Sequence, residues 1–150
     1  HQHPAPYAGE QSRSIKALSA ADVDGYLNGR GMDLAKAAEL NGYPGPMHAL
    51  ELAEKLKLTP GQKSDIQRSF EQMHEEAVRL GKQIVEKETS LDRQFAGREV
   101  TPGSLEKTLA ELAGLQARLR QTHLQAHLAT RRVLSDEQVI AYNQLRGYTK

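Results

Sequence analysis

The sequence predicts an all-α protein: one long antiparallel helical hairpin flanked by shorter helices. Three observations carry this. Helix-start signals recur along the chain as Ser or Thr caps, two of them followed three residues later by a glutamine able to return the bond. Two long stretches repeat apolar residues at helical spacing of three and four. No run of alternating β-branched residues offers a strand instead.

The elements follow in order. His1 to Glu10 holds two prolines, a glycine and small residues, so residues 1–18 read as a flexible lead-in. Residues 19–150 then read as a single helical domain. Ser19 caps a short helix, with Leu18 before the cap and Val23 four residues after it placed as a hydrophobic staple. Gly29 and Gly31 end that helix. Met32 to Leu40 reads as a second short helix stopped by Asn41-Gly42, and Tyr43-Pro44-Gly45-Pro46 as a rigid bend whose last proline opens a helix to about Lys57.

The first long helix is expected from Pro60 to about Ala96. Its seam is Ile66, Phe70, Met73, Ala77, Leu80, Ile84, Leu91 and Phe95, interrupted at Lys87, and Gly97 ends it. The second opens at Thr101-Pro102 and carries Leu105, Leu109, Leu112, Leu119, Ala126 and Val133 on one stripe. The short Gly97–Val100 connection forces the two antiparallel. Facing residues then have numbers totalling roughly 198, because both helices rise about 1.5 Å per residue. A last helix is expected from Asp136 to about Arg146.

Composition narrows the function classes. The 150 residues hold 20 Lys and Arg against 19 Asp and Glu, a net charge of +1 that gives no global attraction to nucleic acid or anionic membrane. No apolar stretch approaches the roughly 20 residues that span a bilayer. Aromatics make up 5% with no Trp, which favours elongated helices meeting along Leu/Ala seams over a bulky core. There is no cysteine, hence no disulfide or thiolate ligand. No phosphate loop, nucleophile elbow or His-Glu-x-x-His pattern is present, so the chain does not read as an enzyme.

One phrase occurs twice. Leu58-Thr59-Pro60-Gly61-Gln62 returns as Leu134-Ser135-Asp136-Glu137-Gln138. In each, Thr59 or Ser135 takes the N-cap and Gln62 or Gln138 reaches back to the cap's own N–H. The pair, bracketing a long hairpin, resembles the LTxxQ signature of the Spy/CpxP family of periplasmic stress proteins. Pro46 to Tyr148 carries the resemblance, with Ser135 in the Thr slot of the second phrase. It implies a four-helix arrangement, a periplasmic location and an ATP-independent chaperone that holds unfolded or aggregation-prone proteins. Relatives that sense or resist heavy metals imply the alternative, a periplasmic heavy-metal-binding sensor or resistance protein. A homodimer is expected from the hairpin itself, whose thin seams leave an apolar flank to cover.

Histidine is the residue type with metal chemistry here. His123 and His127 lie four apart on the second long helix, and the antiparallel register sets His74 level with residue 124. Glu71 and Glu75 lie within a turn. Three imidazoles with carboxylates would suit zinc, nickel, cobalt or copper. The alternative is that His123 simply fills the seam and the other two face solvent. If His1 is the mature terminus, its amine, the Gln2 and His3 amides and the His3 imidazole form a square-planar set for Cu(II) or Ni(II). His48 joins a site only if its helix folds back.

Overall fold

The computed structural model describes residues 3–150. It is all-α: α1 (Ala20–Leu27), α2 (Lys36–Glu39), α3 (Pro46–Glu51), α4 (Pro60–Ala96), α5 (Pro102–Val133) and α6 (Asp136–Leu145). The long hairpin is α4 and α5, with four shorter helices around it. Among the described residues there is no strand. Among the described residues no helix is long and apolar enough to cross a membrane.

Local chemistry sets the helix starts. Ser19, Thr59, Thr101 and Ser135 each cap a helix with a complete reciprocal box. Pro60 and Pro102 stand in the first turn, where a missing N–H leaves no bond unmade. The expected register holds: Lys87 on α4 pairs with Glu111 on α5, and Gln94 Nε2 donates to Thr108 Oγ1 at 3.1 Å.

The seam differs in detail from its sequence pattern. On α5 the buried row is Thr108, Leu112, Leu115, Leu119, His123, Ala126 and Thr130. Leu105 and Val133 are half-buried, and Leu109 is 47% exposed. Three polar residues hide in this row, and the two threonines find partners nearby. Thr130 Oγ1 returns to the Ala126 carbonyl at 2.8 Å, and Thr108 receives Gln94. On α4 the buried residues are Ile66, Ala77, Leu80, Gly81 and Ile84, while Phe95 at the hairpin tip is 55% exposed.

Two clusters form the core. One gathers Ala49, Leu56, Ile66, Leu134, Val139 and Tyr142, where α3 and α6 close the end of the hairpin. The other lies further along, with Ala77, Leu80 and Ile84 facing Leu112, Leu115 and Leu119 under Tyr26 and Leu34. Residues 20–45 therefore cross one face of the hairpin, α1 against α4 and α2 against α5. Gly81 makes the closest approach possible, since a Cβ there would lie 2.0 Å from the Tyr26 carbonyl oxygen.

Two short helices are briefer than their sequence suggests. Met32 and Asp33 take φ of +49° and +62°, so no helix begins there and α2 starts only at Lys36. The left-handed pair turns Leu34 inward onto the second cluster. α3 stops at Glu51, and the chain continues in turns to Lys57, at φ +55°, before Thr59 starts α4. Ahead of α1, Glu10–Ser12 forms one 3-10 turn, and the Lys16 N–H donates to Asp92 on α4 at 2.8 Å.

Candidate functional site

The two repeated phrases meet in space. Each glutamine closes its own capping box: Gln62 Oε1 accepts the Thr59 N–H at 3.0 Å, and Gln138 Oε1 accepts the Ser135 N–H at 2.9 Å. The two amides also bond each other, Gln62 Nε2 to Gln138 Oε1 at 2.8 Å and Gln138 Nε2 to Gln62 Oε1 at 3.0 Å. The spare hydrogens cross over, Gln62 to the Val133 carbonyl at 3.0 Å and Gln138 to the Leu56 carbonyl at 3.1 Å. Each side chain thus uses two donor and two acceptor positions, the full capacity of a primary amide. The result is a near-symmetric clasp holding the start of α4 to the start of α6. The sequence shows the two caps, but their mutual bond depends on the hairpin returning to its own beginning.

The histidines do not assemble. His74 is exposed, stacks on Phe70 with ring centroids 5.8 Å apart, and lies beside Gly29 at the end of α1. His127 turns to a different part of the covering segment. Its Nδ1 lies 2.7 Å from the Tyr43 carbonyl oxygen, which can only accept, so that nitrogen carries the proton. Its Nε2 lies against Gly45, where a Cβ would come within 2.9 Å. His123 is 3% exposed, with Nε2 buried and without a hydrogen-bond partner. Burial first, and the neighbouring His127 second, hold its pKa below the ordinary value, which favours the neutral imidazole. His48 bonds Glu51 on its own helix at 2.9 Å.

His123 and His127 stay neighbours on α5, but His74 turns to Gly29 while His127 turns to Tyr43 and Gly45, so the expected set of three does not close. Among the described residues no group of three or more His, Asp or Glu side chains is placed to hold a metal ion. His3 is exposed, and the His1 part of the N-terminal copper set lies outside the described residues. Equal level along antiparallel helices does not mean equal face.

A polar centre stands where none is expected from the sequence. Glu39 Oε1 accepts the hydroxyls of Tyr142 at 2.6 Å and Tyr148 at 2.8 Å. Arg146 Nε lies 3.7 Å from the same oxygen, and its guanidinium lies over the Tyr148 ring. Glu39 Oε2 is buried without a hydrogen bond, 3.6 Å from His127 Nδ1. Burial, and then the carboxylate it donates to, push the Tyr142 phenol pKa far up, so it remains a donor. The available signal is modest: a buried tyrosine needs a hydroxyl partner, and Tyr142 falls one helical step from Val139 on the last helix.

These contacts have a common direction. Arg120 Nε donates to the Leu34 carbonyl at 3.2 Å, His127 to Tyr43, and the C-terminal tyrosines to Glu39. Donors on α5, on α6 and just beyond it grip acceptors on the covering segment. The opposite side of the hairpin carries an open groove of about 310 Å³ lined by residues that include Gln72, Met73, Glu76, Thr122 and Gln125.

Comparison with known proteins adds no relative: no family model, no curated protein and no solved structure matches the chain.

Proposed function

We propose that this chain is a periplasmic, ATP-independent chaperone of the Spy/CpxP kind, working as a homodimer that holds partly unfolded proteins. The resemblance in the paired Leu-Thr/Ser-x-x-Gln phrases suggests the class. The observation that carries the reading is the surface of the long helices and α6. Phe95, Leu109, Leu128, Ile140 and Leu145 are each between 42% and 58% exposed, spread along the molecule. Exposed Arg93, Lys107 and Arg132 stand among them. Scattered apolar contacts with charges between them suit weak holding of many sequences rather than tight recognition of one.

The metal-sensor reading asks for a ligand set, and the histidine geometry gives it no support. One experiment separates the two. Light scattering of an unrelated denaturing protein, with chelator and without nucleotide, should fall in the presence of about equimolar chain sedimenting as a dimer. Unchanged scattering, together with one tight histidine-dependent site for zinc, copper or nickel by calorimetry, would reverse the assignment.

A further inference from the structure

Residues 20–45 have three properties that belong together. They cover apolar surface: Tyr26 and Leu34 pack on the cluster of Ala77, Leu80, Ile84, Leu112, Leu115 and Leu119. They are also fastened by a handful of side-chain hydrogen bonds from α5 and the C-terminal region, at Leu34, Glu39 and Tyr43. Beyond the capped helix α1, they have little regular structure of their own. α2 is four residues long, below what sustains an isolated helix. Met32 and Asp33 are consecutive non-glycine residues in the left-handed region, a strained conformation that only surrounding contacts maintain. Both ends are tethered, at Lys16 by Asp92 and at Pro46 by α3.

We propose that residues 20–45 form a strap occupying a client-binding surface, the apolar face of α4 and α5 around Gly81 and Leu115, and that the strap lifts to admit a peptide segment of a partly unfolded protein. This rests on the chaperone reading and names where its main client contact lies. The strap itself defines the chemistry of the occupant. At Gly81 α4 presents bare backbone to a peptide carbonyl, now that of Tyr26. Beside it the cluster takes one aromatic and one aliphatic side chain, now Tyr26 and Leu34. An unfolded chain offers both a free backbone and such side chains, whereas a folded surface offers neither together. The strap is thus a built-in competitor, and the Glu39 centre is its fastening.

The test loosens the fastening without touching the cluster. Glu39→Gln with Tyr148→Phe leaves Tyr142 in its core position. Hydrogen exchange in residues 20–45 should quicken about tenfold while α4 and α5 keep their protection. Suppression of aggregation per molecule should rise with it. Gly81→Ala should also loosen α1, but it fills the notch, so suppression should not rise. A measurement on the unaltered chain stands beside these. Adding a reduced, carboxymethylated unfolded protein should speed exchange in residues 20–45 and slow it around Gly81.

Faster strap exchange with unchanged suppression, or no change in strap exchange on fastening removal, overturns the strap proposal and leaves the chaperone reading standing. No suppression by either the original or the loosened chain overturns both. A silent original with an active loosened variant supports the strap as an inhibitor.

Discussion

The two ends of the hairpin are built from the same kind of seam and end differently. Where α4 begins, Ile66 is fully buried because α3 and α6 fold over it and Tyr142 fills the space between. At the turn, Phe95 and Leu109 continue the same apolar spacing, yet about half of each remains in water. Two helices meeting along a line bury only the residues on that line. A third element is needed to bury those on its shoulders. The difference lies in what the chain brings back to each end, and the Gln62–Gln138 clasp marks the end to which it returns.

The largest contrast should appear on truncating one aromatic at each end. Tyr142→Ala should destabilise by roughly 3–5 kcal/mol, while Phe95→Ala should stay within about 0.5 kcal/mol. Urea denaturation of the two variants measures this, and similar losses would mean the tip is covered in solution.

The clasp comes next. Gln62→Ala should cost about 2 kcal/mol, since the Gln138 amide and the Val133 carbonyl each lose a partner away from water. Because the glutamines satisfy each other, the double variant with Gln138→Ala should lose clearly less than the two single losses combined. Additive losses would reduce the pair to two independent caps.

The smallest effect concerns the face under the strap. The pKa of His123 is held below its usual 6.5 in the folded chain. As pH falls below about 6.5 the unfolded chain takes up a proton that the folded chain resists, so this contribution to stability is full above that pH and is lost in acid. The urea midpoint of the unaltered protein should therefore drop between about pH 7.5 and 5.5 more than that of His123→Gln. Parallel curves for His123→Gln and the unaltered chain would sever the link between burial and acid response.

How far the sequence could be read depends on the range of each interaction. Ser19, Thr59, Thr101 and Ser135 were legible as caps because the bond closes within three residues. Pro60–Ala96 followed from cap, proline, apolar spacing and terminal glycine. Thr108, His123 and Thr130 were harder, since a polar residue in a seam looks like a surface residue until its neighbours are known. The histidine set failed for a related reason. Register gives a residue's level along a helix, but the face it presents depends on where residues 29–45 cross.

The sequence by itself determined the helices, their order and the antiparallel sense of the hairpin, because caps, prolines, short connections and apolar periodicity act over a few residues. Only the tertiary structure decided that Gln62 and Gln138 share one clasp, that Glu39 meets Tyr142 and Tyr148, and that Gly81 is a notch. Those pairings join positions far apart in the chain through one or two hydrogen bonds or a single missing methyl group. Such contacts leave no periodic trace, and they form only after burial of the Leu and Ala seams has brought the helices together.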